Sequence, residues 1–286
     1  MHSPNLSRIK VSAFLGWALL TFGAPKADAD DHAAIPFAQT PPAVQKTIVA
    51  NLRGGTLAGI EKAQEDGVVS YSVEFAINGQ SRDMIIDEDG TLFSLEVTFQ
   101  ETPPPVQKAI VAQIAGGKLD AIEKTFDIDE VSYEVEFTAK DGSEGRCSLG
   151  ENGALLEIDI PLRAAPPAVQ KTLAGELKNV AVTTLTKIID DADVSYEADF
   201  NRDGKDVSLT IATDGRLLSE QITLAEATPQ ARKTIQDTVG NGKIIAVSKS
   251  YEKKDKVLPF MVEAVKDGKR FNFSVGPKGK FLGMDE

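Results

Sequence analysis

Histidine, cysteine and tryptophan are nearly missing from this chain. Its 286 residues include two histidines, one cysteine and one tryptophan. A single cysteine, Cys147, excludes an internal disulfide, so stability outside a cell must come from packing alone. His2 and His32 stand near the start, too isolated for a Ser-His-Asp or Cys-His arrangement. No glycine-rich phosphate loop or dinucleotide fingerprint occurs. Positive charge is also short, with 31 Lys and Arg against 43 Asp and Glu. That balance excludes general nucleic-acid binding, which needs a basic footprint. The chain therefore reads as a non-enzymatic protein without a cofactor.

Long apolar runs are missing too, with one exception. After Arg8 and Lys10, an apolar stretch runs from Val11 to about Phe22, and "APKADA" follows with the small-x-small pattern Ala27-Asp28-Ala29. This predicts a signal peptide over 1–29, cut after Ala29, and a short leader over 30–35. The run is too short to span a bilayer, so no transmembrane segment is expected in the mature chain. Removal of 1–29 takes away Arg8, Lys10, Lys26, Asp28 and the lone Trp17, and moves the net charge from −12 to −14. The expected location is secreted or periplasmic. Cys147 lies far from the cleavage site, which excludes lipid attachment there.

What the chain does have is repetition. "PPAVQKT" stands at 41–47 and again at 166–172, with "PPPVQKA" at 103–109 and a fainter "TPQARKT" at 228–234. Val44, Val106, Val169 and Ala231 are spaced by 62, 63 and 62 residues. "VSY" recurs at Val69–Tyr71, Val131–Tyr133 and Val194–Tyr196, and becomes Leu258-Pro259-Phe260 in the last copy. These markers divide the chain into 36–99, 100–162, 163–224 and 225–286, a period that suits small tandem domains.

Each unit reads as one helix followed by four strands. The prolines suit a first helical turn, and Thr40 and Thr102 are candidate N-caps. Val44, Ile48 and Leu52 give an apolar stripe, which the other copies repeat. Glycines end three of the helices; the third ends near Asn179. In "VVSYSVEFAI", Val69, Tyr71, Val73 and Phe75 share one face, leaving Ser70, Ser72 and Glu74 on the other. Such alternation predicts a sheet with one buried and one wet face. Asn-Gly and Asp-Gly pairs supply hairpin turns, Asp203-Gly204 and Asp267-Gly268 among them. The expected fold is α+β: four tandem units, each with one helix packed on a four-stranded antiparallel meander sheet. A lone unit of this size would bury only about 60% of its surface. Neighbouring units are therefore expected to pair their sheets edge to edge.

Helix, glycine-ended turn, "IEK", "VSYEVEF", a turn, "DG" and an apolar strand, in that order, resemble the PepSY-like repeat family related to beta-lactamase inhibitor protein. The resemblance covers nearly all of 36–286, four times over. It implies secreted bacterial proteins with a helix-on-sheet fold, and, in the inhibitor, two units joined in a concave sheet that grips an enzyme. No contact motif of the inhibitor is matched, so no inhibitory residue is carried over.

Candidate chemistry is sparse. Cys147 falls in a slot filled by Met84, Leu209 and Phe273 in the other copies, a core position. Tyr71, Tyr133, Tyr196 and Phe260 share another slot, which calls for a packed ring. "DEDG" at 87–90 lacks the spacing and bidentate glutamate of a calcium loop and reads as a hairpin turn. The face turned from the helices is richer. Glu74, Glu134, Glu136, Glu197, Asp199 and Glu263 alternate onto it, as do Glu96, Glu157 and Asp159. It reads as a solvated surface, as a docking face for a basic protein partner, or as a place where divalent cations bridge carboxylates weakly. The function expected is an exported binding protein, an inhibitor or modulator of a secreted or periplasmic hydrolase. The alternative is an envelope-structural or divalent-cation-binding protein. The four units carry net charges of −5, −8, −3 and +4, and "KSYEKKDK" at 249–256 marks the basic last one. That unit is either a drifted end cap or a module that meets an anionic surface.

Overall fold

The computed structural model describes residues 33–65, 68–126, 130–177, 180–191, 193–202, 204–252, 257–266 and 269–285. The expected signal peptide and its cleavage point, His32, Asn179, Asp203, Asp267-Gly268 and residues 253–256 lie outside the described residues.

A helix followed by four strands recurs along the chain. A two-residue strand, β1 (Ala33–Ala34), comes first. Then α1 (Pro42–Leu52) leads to β2 (Thr56–Glu65), β3 (Val68–Ile77), β4 (Gln80–Asp87) and β5 (Leu92–Glu96). Next come α2 (Pro104–Ile114), β6 (Lys118–Phe126), β7 (Val131–Thr138), β8 (Glu144–Gly150) and β9 (Leu155–Asp159). The third set is α3 (Pro167–Leu177), β10 (Val182–Asp190), β11 (Asp193–Arg202), β12 (Lys205–Ala212) and β13 (Leu217–Ile222). The last is α4 (Pro229–Val239), β14 (Lys243–Ser250), β15 (Phe260–Lys266), β16 (Lys269–Val275) and β17 (Phe281–Asp285). A single 3-10 turn precedes each helix, at Phe37–Gln39, Phe99–Glu101, Leu162–Ala164 and Leu224–Glu226.

All seventeen strands belong to one antiparallel sheet. Each strand pairs with the next in sequence, from β1 to β17. The expected α+β class is observed, as one continuous sheet in which the strands on either side of each later helix pair at seams β5–β6, β9–β10 and β13–β14.

The helices follow from their first turns. Each opens on proline, whose missing N–H is no loss there. Val44 and Ile48, and their counterparts Val106 and Ile110, Val169 and Leu173, Ala231 and Ile235, are buried. α1 and α2 end through left-handed Arg53 and Ala115, each followed by a glycine of positive φ. Thr40 and Thr102 do not cap the helices: the N-cap positions are Pro41 and Pro103. Their hydroxyls instead donate back to the Phe37 and Phe99 carbonyls, both at 2.8 Å, and so close the 3-10 turns. Proline in the next position fixes the backbone without a side-chain cap.

The polar letters of the recurring phrase tie the helix down. Gln45 Nε2 donates to the Thr40 carbonyl at 2.8 Å, as Gln107 does to Thr102 and Gln170 to Ala165. Thr47 Oγ1 donates to the carbonyl of Gly90, in the β4–β5 turn, at 2.6 Å. Thr172 and Thr234 repeat this bond to Gly215 and Gly279. The second copy has Ala109 there and lacks the hydroxyl. The turn glycines sit directly against the helices. A Cβ on Gly153 would lie 2.5 Å from the Pro105 carbonyl oxygen, and φ is +78°. Only glycine satisfies both the turn and the close approach.

Four buried apolar clusters, each holding one helix, line this side of the sheet. Val97 packs against both the first and the second, so the core continues across a seam. Tyr71, Tyr133, Tyr196 and Phe260 are all buried in these clusters, as is Cys147. Burial pushes the Cys147 thiol up to about 12, which keeps it protonated and inert. At the first seam, buried Arg82 on β4 reaches both carboxylate oxygens of Glu101, at 3.1 and 2.8 Å. Glu101 also accepts from the Thr98 N–H and hydroxyl, in a capping box. Burial raises its pKa, but these hydrogen bonds outweigh burial and hold it below the usual carboxylate value.

Candidate functional site

The face turned from the helices departs from the expectation of a wet surface. Ser94, Ser148, Thr186, Ser219, Ser250 and Ser274 point there and are all buried, Ser94 to 1% exposure and Ser274 to 2%. Two longer-range electrostatic effects accompany this burial. Burial and then Asp89 raise the pKa of Asp87 at the end of β4, with Arg270 at the start of β16 opposing them; Asp89 is held low first by the Thr91 N–H and hydroxyl, with Lys269 adding last. Strands twelve places apart in the sheet thus come near one another. Twist between neighbours only turns the strand directions, so this approach requires the sheet to curve across its strands as well. Coiling crowds the side chains on the inner face, and period-two alternation within one strand cannot report it.

On this face the strand registers line up acids. Glu74 on β3 stands opposite Asp83 on β4. Glu96 on β5 stands opposite Glu123 on β6, and Glu123 opposite Glu134 on β7. Glu134 is then opposite Ser148 on β8, and Ser148 opposite Glu157 on β9. A second row runs from Glu136 through Arg146 on β8; Asp159 on β9 then faces Thr186 on β10, which faces Glu197 on β11. Asp199 is two residues further along β11, opposite Thr184 and Ser208.

Like charges directly opposite destabilise a sheet, and their cost grows as water is withdrawn. Both effects act on these acids. Burial, with help from neighbouring carboxylates, raises Asp83, Glu96, Glu123 and Asp199 above their ordinary values. Burial pushes Glu134 up to about 7, with Glu157 and Glu123 adding and Ser148 and Arg146 opposing. Glu197 also rises to about 7, through burial and then Asp199 and Glu157. Compensating cations are few. Arg146 Nε lies 3.3 Å from an Asp159 oxygen, and Thr186 Oγ1 donates to the other at 2.8 Å.

Of the six residues expected on a docking face, the structure brings Glu134, Glu136, Glu197 and Asp199 together across β7 to β11, half-buried. Glu74 is exposed, toward the first end of the row. Glu263 requires correction. It is 6% exposed and bonded to Arg270 Nη1 at 2.5 Å, so it is a neutralised interior acid and offers nothing to a partner. Its cation lies seven residues on, opposite Val265, two places further along β15, which puts it on the same face of the sheet as Glu263. Sequence reasoning missed Asp83 and Glu123, which complete the row. The signal was present in the hairpin register: the Asn78-Gly79 turn, read as a two-residue hairpin, sets Asp83 against Glu74.

No protein-family model matches the chain, and no curated protein matches it. Among solved structures it is similar to proteins of Bacteroides, two of the DUF2874 family among them. One, from Bacteroides ovatus, is 20% identical over 42% of this chain and 86% of its own, with a TM-score of 0.32. Another, from Bacteroides vulgatus and provisionally described as periplasmic, is 19% identical over 46% and 100%, at 0.32. A third, from Bacteroides thetaiotaomicron, is provisionally described as calcium-regulated and periplasmic; it is 19% identical over 44% and 94%, at 0.30. At such scores the likeness carries no weight for what this chain does.

Two further features bear on partners. Among the described residues no group of three or more His, Cys, Asp or Glu is placed to hold a metal ion. No described helix is long and apolar enough to cross a membrane. The "DEDG" segment closes a hairpin: the Gly90 N–H donates to the Asp87 carbonyl at 2.9 Å, and Asp89 Oδ1 accepts from the Thr91 N–H.

Proposed function

We propose that this is an exported, non-enzymatic binding protein of four PepSY-like units, whose carboxylate face docks a basic segment of a partner protein. The observation that carries the reading is the opposed row Glu74–Asp83 and Glu96–Glu123–Glu134. Acids held at this spacing repel one another and are partly desolvated. A cationic partner would remove both penalties at once. The net charge of the chain steers such a partner toward it. The resemblance to PepSY-like repeats extends the reading to inhibition or modulation of a secreted or periplasmic hydrolase.

The test is binding of an extended peptide alternating lysine with valine, followed by fluorescence anisotropy, with an acidic counterpart as control. Binding at low salt that weakens steeply with added salt, and about tenfold on the double change Glu74→Gln and Glu136→Gln, supports the docking face. Equal binding of the acidic peptide overturns it. A melting temperature that shifts between calcium and chelator, with no peptide binding, would favour the cation-binding alternative instead.

A further inference from the structure

The two ends of the sheet are finished differently. At the first end, Ala33 lies opposite Lys62 and Ala34 opposite Glu61, and the Ile35 N–H donates to the Ile60 carbonyl at 2.9 Å. The β5–β6 seam has the same pattern: Leu95 opposite Lys124, Glu96 opposite Glu123, and Val97 N–H to the Ile122 carbonyl at 2.9 Å. The β9–β10 seam repeats it with Ile158 opposite Lys187, Asp159 opposite Thr186, and Ile160 N–H to Leu185 at 2.8 Å. Ala33–Ile35 therefore fills the place of a preceding last strand. Residues 33–35 of the expected leader are thus the strip along this edge.

At the other end β17 pairs with β16, and among the described residues no strand lies along its outer side. Closing the sheet into a ring would need a further pairing of β17, and among the described residues there is none. Phe281 and Met284 on this strand are 42% and 54% exposed. An edge strand with open N–H and C=O groups is a template for another strand.

We propose that β17 is a dimerisation edge, pairing antiparallel with β17 of a second copy about a two-fold axis. Three observations choose that occupant. Every pairing in the sheet is antiparallel, and a two-fold copy of β17 continues that rule. The β2 edge is already filled, so head-to-tail addition must displace Ala33–Ile35, whereas two-fold pairing displaces nothing. The sequence around β17 is basic before the strand, at Lys278 and Lys280, and acidic at its end, at Asp285. Antiparallel self-pairing sets the basic end of one copy toward the acidic end of the other. The strand has five residues, with Gly283 at φ +127° in its middle, so the pairing is short and the dimer reversible.

Sedimentation velocity on the full chain tests this, together with spin labels at Met284→Cys and, separately, at exposed Val49→Cys on α1; Cys147 is buried and stays unlabelled. The expected result is a concentration-dependent monomer–dimer equilibrium and a short inter-copy distance from position 284 but not from 49. Met284→Lys should weaken the dimer about tenfold without changing the melting temperature of the monomer. A chain that stays monomeric throughout, a dimer indifferent to Met284→Lys, a short distance from position 49 alone, or a ladder of higher oligomers each overturns the proposal.

Discussion

The two faces of β7 differ in what their neighbours supply. On one, Tyr133, Val135 and Phe137 meet Val106 and Ile110 of α2 in a shared apolar cluster. On the other, Glu134 and Glu136 meet Glu123, Ser148, Arg146 and the sheet's own curvature. The first face has its partner built in. The second is crowded with charge for which the described residues provide few cations. The same alternation produces both, so the difference lies in what covers each face.

The largest expected effect comes from the covered face. Phe200, among the largest fully buried side chains, packs in the third cluster. Phe200→Ala should cost about 3–5 kcal/mol in urea unfolding, through lost burial and the cavity left behind. A loss below about 1 kcal/mol would mean that the helix side is not the stabilising side.

The opposite face should show the reverse sign. A carboxylate whose folded pKa lies above its unfolded value favours the fold in its neutral form. For Glu134 and Glu197 the folded value is about 7, against an unfolded value of 4.5. Stability from these groups is therefore full below about 4.5 and is lost as pH rises to about 7. Unfolding free energy should fall across that window by about 3 kcal/mol for each of the two groups, where carboxylates held low by ion pairs would leave it flat. Glu134→Gln should stabilise the protein at pH 8 and flatten the profile. A flat or rising profile in the unsubstituted chain sinks this account.

A third effect tests how the helix is held. Gly153→Ala forces a side chain into a left-handed turn and against the Pro105 carbonyl, and should cost about 2 kcal/mol. Gly204→Ala has a similar φ, +82°, but meets nothing within 4 Å. It should cost about half as much, since strain acts there without collision. Equal losses at the two glycines would remove the argument for close packing between helix and turn.

Much of the covered face was legible in the sequence, because its signals are local or periodic. Val44 and Ile48 announce a stripe, and the four-copy comparison assigns Cys147 and the tyrosines to the core. Three features were not legible, each for lack of a long-range partner. Nothing local in the sequence gives Gln45 or Thr47 a partner until the Thr40 and Gly90 carbonyls are placed beside them. Thr40 resembles a helix cap because a 3-10 turn leaves no periodicity of its own. The crowding of the second face depends on curvature summed over many strands, and no single strand carries a trace of it.

The smallest expected effect examines that coiling directly. Asp89 is held below its usual pKa first by the Thr91 N–H and hydroxyl; Lys269 contributes after these and after an opposing burial effect. Both residues are exposed, so water and salt screen the attraction. Lys269→Glu should therefore lower the melting temperature only slightly, at low ionic strength, and not at all in about 1 M salt, where screening extends over only about 3 Å. Asp89→Lys should do the same, and the double exchange should restore the original value. A control at Lys46 on α1 should show no such rescue with Asp89→Lys. Restoration specific to 89 and 269 requires the first and last quarters of the sheet to approach each other in solution. If the two changes simply add, the second face is not closed by the coil, and the burial of its serines must come from their immediate neighbours alone.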